Sequence, residues 1–195
     1  MAGVGAEPLM RILGVSGSLR ADSFNTSLLR AAAEAAPEGV EVELIDASGI
    51  ADLPLYDQDL DTGDVQDSVA RLREAWGSAD AILFATPEYN GSIPGGLKNA
   101  IDWASRPRLE AALMNKTVAV IGASTGQFGA MWAQADLRKI LGAAGARVVG
   151  DELPVTRAHE KFDLSGRLLD GELFERLRLL LETLAADAVP VPVAA

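Results

Sequence analysis

Apolar residues recur along this chain in two rhythms. Nearly uninterrupted apolar runs at Ile12–Val15, Ala79–Ala85 and Thr117–Ile121 each end in glycine-, proline- or hydroxyl-rich sequence. Such runs mark strands buried on both faces. Val40–Ile45 instead alternates apolar with acidic residues, which predicts a half-exposed strand at a sheet edge, and Ala146–Val149 gives a short fifth strand. Between them the spacing becomes helical. One helix follows Ser23, with Leu28, Leu29, Ala32 and Ala33 in step. Others cover Val65–Trp76, Leu97–Ala104, Ala130–Leu141 and Leu173–Ala186. Ser23 suits the N-cap of the first.

Five strands alternating with five helices predict an α/β fold, a three-layer doubly wound sheet of five parallel strands. No repeat or linker divides the chain, so the expectation is one domain over residues 1–195, with 1–9 and 188–195 as mobile tails. In strand order 2-1-3-4-5 the first, third and fourth strands lie side by side. Their carboxyl-end loops, Ser16–Thr26, Thr86–Gly96 and Gly122–Gly129, then rim one crevice, where such sheets bind ligands.

The first loop has the chemistry of an anion site. Ser16, Ser18, Ser23 and Thr26 supply hydroxyls, Asn25 an amide and Arg20 a planar fork, all ahead of a helix N-terminus whose first N–H groups have no internal partner. Neither G-x-x-x-x-G-K-[ST] nor G-x-G-x-x-G follows this strand, which argues against a P-loop and against the usual dinucleotide mode. The loop suits a monophosphate such as the tail of FMN. In the second loop, Pro87-Glu-Tyr-Asn-Gly91 can present the main-chain groups of Glu88 to Asn90 to the polar edge of an isoalloxazine. In the third, Ser124, Thr125 and Gly126 can face the pyrimidine end of that ring.

Composition narrows the partners. A net charge of −11 and a pI near 4.5 argue against nucleic acid or an anionic membrane as main partner. With no cysteine there is no disulfide, thiolate metal site or cysteine nucleophile. Met1–Pro8 is no signal peptide and no run is long enough to span a membrane, so a cytoplasmic protein is expected. Asp57, Asp59 and Asp61 fail the EF-hand register, with Thr62 at the glycine position and Ser68 at the closing glutamate, and read as a solvated acidic loop without metal. His159, the only histidine, lies outside the three loops and reads as surface.

Gly17-Ser-Leu-Arg20 with Ser23-Phe-Asn25, Thr86-Pro-Glu-Tyr-Asn-Gly-Ser-Ile-Pro-Gly95 with Leu97-Lys-Asn-Ala-Ile-Asp-Trp103, and Gly122-Ala-Ser-Thr-Gly126 with Phe128-Gly129 together resemble the NADPH-dependent FMN reductase family. This flavodoxin-like group includes bacterial chromate, quinone and azo-dye reductases. The resemblance implies that Ser16, Ser18, Arg20, Ser23, Asn25 and Thr26 hold the FMN phosphate. It implies that Pro87, Glu88, Tyr89, Asn90 and Gly91 hold the isoalloxazine, with Ser124, Thr125 and Gly126 closing around it. Many members carry arginine where this chain has Gln127, which bears on NADPH over NADH and on anionic acceptors.

The implied chemistry is ping-pong: NADPH or NADH delivers hydride to flavin N5, then a quinone, azo dye, metal oxyanion or free flavin takes its place. No side chain is assigned a catalytic role. The resemblance also implies a homodimer or homotetramer, with the Leu97–Trp103 helix against its copy and Tyr89, Trp103 and Arg106 near the boundary. Two other readings remain: a flavodoxin-type electron carrier that needs a partner reductase, and a flavin-free phosphate-ligand binder or hydrolase.

Overall fold

The computed structural model describes residues 9–45 and 48–188; the expected tails, apart from Leu9 and Ala188, lie outside them. The three apolar runs become β1 (Met10–Ser16), β3 (Ala81–Ala85) and β4 (Thr117–Ala123), and the alternating run becomes β2 (Val40–Leu44). All pair in parallel in the order β2-β1-β3-β4-β5, with β5 at Arg147–Val148, so the doubly wound order is as expected. Alternate residues of the central strands feed two cores. Leu13, Val15, Ile82, Phe84, Val118 and Val120 pack towards α3 (Asp67–Ser78), α4 (Gly95–Ala104) and α5 (Met131–Ala143). Ile12, Leu83, Ala119 and Ile121 pack on the other face, under α1 (Phe24–Glu34) and α7 (Gly171–Asp187). Burial on both faces is why these strands carry no polar alternation. No helix among the described residues is long and apolar enough to cross a membrane.

Three expectations are corrected. The fifth position of the sheet is two short strands rather than one: β5 pairs with Thr117–Val118, and β6 (Leu153–Val155) pairs with Ile121–Ala123 further along the same edge. Between them the chain turns out at Gly150, whose φ is +65°. The fully buried Gln134 of α5 stabilises the break, accepting from Leu153 N at 3.0 Å and donating to Gly129 O at 3.0 Å. A buried amide that satisfies irregular backbone at both of its ends replaces the missing ladder bonds.

Second, the stretch 48–63, which carries Asp57, Asp59 and Asp61, is not a freely solvated loop throughout. It contains α2 (Ser48–Ala51) and a 3-10 turn (Gln58–Leu60) and is strapped across α4. Asn99 accepts from Tyr56 N and donates to Pro54 O, both at 2.8 Å, and Trp103 Nε1 donates to the same carbonyl at 2.8 Å. Asp61 pairs with Arg73 at 2.7 Å with both side chains largely buried, while Asp57 caps the 3-10 turn. Third, Trp103, expected near a subunit boundary, is buried within the chain itself at 1% exposure, as is its neighbour Ile101 at 2%, so neither needs a second subunit to cover it. The outer face of α4 carries the Lys98–Asp102 ion pair instead.

The last elements are α6 (Ala158–Lys161) and α7, the latter capped by Asp170, which accepts from Leu173 N. The Lys161 ammonium beside Asp170 and that main-chain bond hold the carboxyl below its ordinary range.

Candidate functional site

The loop after β1 folds back on its own hydroxyls. Ser16 Oγ lies 3.0 Å from Thr26 Oγ1 and accepts from Ser18 N at 3.3 Å, and Ser18 Oγ accepts from Arg20 N at 3.4 Å. Ser23 is the N-cap of α1, accepting from Asn25 N and Thr26 N. Ser16, Ser18, Ser23 and Asn25 are buried, whereas Arg20 is exposed. Gly17 donates to Ala85 O at 2.8 Å, and a Cβ there would meet Leu97 Cδ2 at 2.8 Å. A larger residue at this close approach to α4 would have to displace the Leu97 side chain.

Asn25 does something the sequence does not suggest. Its Nδ2 donates to Ala123 O at 3.0 Å and its Oδ1 accepts from Ala123 N at 2.9 Å, both buried. The amide thus clasps the start of α1 to the end of β4 and sets the distance between the first and third loops. Ser23 Oγ is likewise engaged as a cap. Of the residues expected at a phosphate, Ser16, Arg20 and Thr26 line a cavity, while Ser18, Ser23 and Asn25 are not among its lining residues.

The second loop is a two-residue hairpin. Tyr89 and Ser92 exchange main-chain bonds at 3.0 and 3.2 Å around Asn90 (φ 54°) and Gly91 (φ 76°). Two successive positive φ values are what asparagine and glycine tolerate, as in a type I′ turn. Glu88 turns its carboxylate away from the turn and accepts from Trp132 N and Ala133 N at 3.1 Å. It caps α5, whose own N-cap residue, Ala130, offers no side-chain hydrogen bond. Ser92 also donates to Asp136 of α5. The hairpin is therefore fixed at its base by side chains and leaves Tyr89 and Asn90 exposed.

The third loop is held by its backbone. Ser124 N donates to Val155 O at 3.1 Å, and the carbonyls of Ser124 and Gly126 accept from Ala158 N and Arg157 N, each at 2.9 Å. Thr125, Gly126 and Gln127 are exposed, and Phe128 packs on Trp132 with ring centroids 4.8 Å apart. Phe128, Trp132 and Tyr89 are each about half exposed at this rim.

Two cavities meet at Leu19 and Arg20. One, of about 370 Å³, runs from Ser16, Ala21 and Thr26 to Arg30, Leu44 and Ile45. The other, of about 320 Å³, lies between Gly17, Tyr89 and Pro94–Gly96. Each is within the usual size range of small-molecule sites. Ser124, Thr125 and Gly126 line neither. Leu19, Arg30 and Pro94–Gly96 are lining residues beyond those the sequence singled out. For Arg30 a signal exists, because it stands one helical turn after Thr26 and so on the same face of α1. Hydroxyls and guanidinium at one end of the groove and a hairpin main chain at the other match a molecule with an anionic tail and a flat polar-edged ring. Among the described residues no group of His, Asp and Glu is placed to hold a metal ion.

Comparison with known proteins agrees with this geometry. The profile of the NADPH-dependent FMN reductase family matches residues 10–160. An NAD(P)H-dependent FMN reductase of Pseudomonas aeruginosa is 44% identical over 176 residues, covering 90% of this chain and 93% of that protein. A 2-hydroxy-1,4-benzoquinone reductase of a Burkholderia species is 35% identical over 178 residues, covering 91% and 95%. The solved structure of FerB, a flavoenzyme NAD(P)H:(acceptor) oxidoreductase of Paracoccus denitrificans, superposes with a TM-score of 0.82 at 34% identity, covering 93% of this chain and all of that one.

Proposed function

The chain belongs to the NADPH-dependent FMN reductase family, and from that premise we propose how its groove serves the activity. It is an FMN-dependent NAD(P)H oxidoreductase. FMN held there would supply the redox chemistry between NADPH or NADH and a second substrate, in a ping-pong cycle. The chain's own part is to bind, orient and shield.

Ser16, Arg20 and Thr26 hold the phosphate, with Ser18, Ser23 and Asn25 fixing the loop that carries them. Pro87, Glu88, Tyr89, Asn90 and Gly91 meet the ring edge through main-chain groups. The outward turn of the Glu88 carboxylate supports this, because it leaves the hairpin backbone rather than a charge on the ring side. Ser124, Thr125 and Gly126 border the ring from the third loop. The observation that carries the reading is the joined groove itself, lined by hydroxyls and guanidinium at Ser16, Arg20 and Thr26 and walled by the hairpin at Tyr89.

Quinones are the favoured acceptor class. The relatives named for benzoquinone and quinone reduction support it, as do the half-exposed rings of Tyr89, Phe128 and Trp132, which offer flat stacking surface at the ring end. Azo dyes, metal oxyanions and free flavin are alternatives on the same surface. The reading includes a homodimer or homotetramer, as the family resemblance implies.

The deciding experiment is an absorbance spectrum of the purified protein before and after anaerobic NADPH, then NADH. Flavin bands that bleach at once are expected, and the faster nucleotide reports what Gln127 does in place of arginine. Bands that persist until a partner reductase is added would point to an electron carrier. No bands, even after FMN is supplied, would leave a flavin-free phosphate-ligand protein.

A further inference from the structure

The cavity at the β2 side of the groove holds a charge that the phosphate assignment leaves unused. Arg20 and Arg30 both line it, with Ser16 and Thr26 between them and Leu44 and Ile45 as the far wall. Among the described residues neither arginine has a carboxylate bridge, and of the arginines without one these are the two that line this cavity. Two guanidiniums free of acids and facing one cavity are notable in a chain of net charge −11.

We propose that Arg30 is a second phosphate-binding residue of the flavin site, acting with Arg20 as a two-armed clamp on the phosphomonoester. This rests on the flavin reading above and deepens it. The charge argument comes first. A phosphomonoester near neutral pH carries close to two negative charges, so Arg20 alone leaves it half neutralised. The field of an acidic chain repels it further, and Asp22 in the same loop adds to that repulsion. A second fixed cation offsets both.

The geometric argument follows from α1. Arg30 stands four residues after Thr26, and long helical side chains lean towards the helix N-terminus. The guanidinium of Arg30 is thereby carried back towards the hydroxyl loop rather than out along the helix. The cradle is then complete on three sides: Arg20 from the loop, Arg30 from the helix, and Ser16 with Thr26 at the base.

The test compares FMN with riboflavin, which has the same ring and no phosphate. Dissociation constants of both are measured by fluorescence quenching on the apoprotein, for wild type, Arg30→Ala and Arg30→Lys, with a thermal melt of each variant. In wild type, FMN should bind more tightly than riboflavin. Arg30→Ala should weaken FMN about tenfold or more and leave riboflavin within about twofold, with Arg30→Lys intermediate because it keeps the charge and loses the fork. FMN weakened less than about threefold by Arg30→Ala would overturn the clamp while leaving the flavin reading intact. FMN and riboflavin weakened equally would overturn it too, since Arg30 would then shape the site rather than hold phosphate. Wild type with no preference for FMN over riboflavin would remove the phosphate assignment itself.

Discussion

The two ends of the sheet treat positive charge in opposite ways. At the amino end, Lys116 just before β4 is buried and its ammonium donates to the carbonyls of Gly77 and Ala79, closing the turn that leads into β3. Desolvation lowers its pKa, with the Asp80 carboxylate opposing part of that shift. At the carboxyl end, Arg20 and Arg30 are exposed, line a cavity and have no acid beside them among the described residues. A cation that bonds two backbone carbonyls within the chain is engaged in the fold. A cation left facing a cavity is available to a ligand. The difference lies in partners, not in residue type.

The sharpest way to break the contrast is Asn25→Ala, because Asn25 sits at the open end and yet is bonded like a residue of the closed one. Losing it strands the buried N–H and C=O of Ala123, so stability should fall by about 2–4 kcal/mol, read by chemical denaturation. Flavin retention should fall with it. Unchanged stability would mean that the clasp is dispensable and Asn25 is free for ligand. Next in size is Arg20→Ala. FMN affinity should drop by about 1.5–3 kcal/mol, or roughly tenfold to a hundredfold, while stability stays within about 0.5 kcal/mol and riboflavin binding is unaffected. A stability loss as large as that of Asn25→Ala would erase the distinction between the two ends. Smaller again is Glu88→Ala, which removes the carboxylate at the start of α5 and should cost about 1 kcal/mol in the same denaturation measurement. No change would mean that α5 needs no cap there.

What the sequence carried is the part written in local pattern. β1, β3 and β4 are legible because strands buried on both faces must be apolar throughout, and their order follows from where the unusual loops must converge. Ser23 as a cap and Asn90-Gly91 as a turn are legible because each answers a backbone need within a few residues. The clasp of Asn25 on Ala123 spans 98 positions, and no local rule connects them. β6 is hidden because Pro154 sits at its centre, which ordinarily demotes a strand; it pairs at the edge of the sheet, where a missing N–H is tolerated. Trp103 misleads for a different reason. Its partners Pro54 and Tyr56 come from a strap that reads as acidic loop, and Arg73 from α3, so its burial could not be anticipated from α4 alone.

The smallest expected effect lies at the closed end and is a matter of pH. Lys116 has a lowered pKa in the folded chain and an ordinary one near 10.5 when unfolded. Between those two values the unfolded state holds more protons than the folded state, so stability rises with pH across that window. Above the unfolded value both states are neutral and the contribution levels off; below the folded value both are charged and the desolvation penalty is fully present. Lys116→Met keeps the stem and removes the titration. Denaturation midpoints of both proteins, measured from neutral pH towards about 10.5, should therefore show wild type gaining on the variant as pH rises. Parallel profiles would mean that the ammonium is no worse solvated by its carbonyls than by water. The closed end would then differ from the open one in partners but not in the energetic state of its charge.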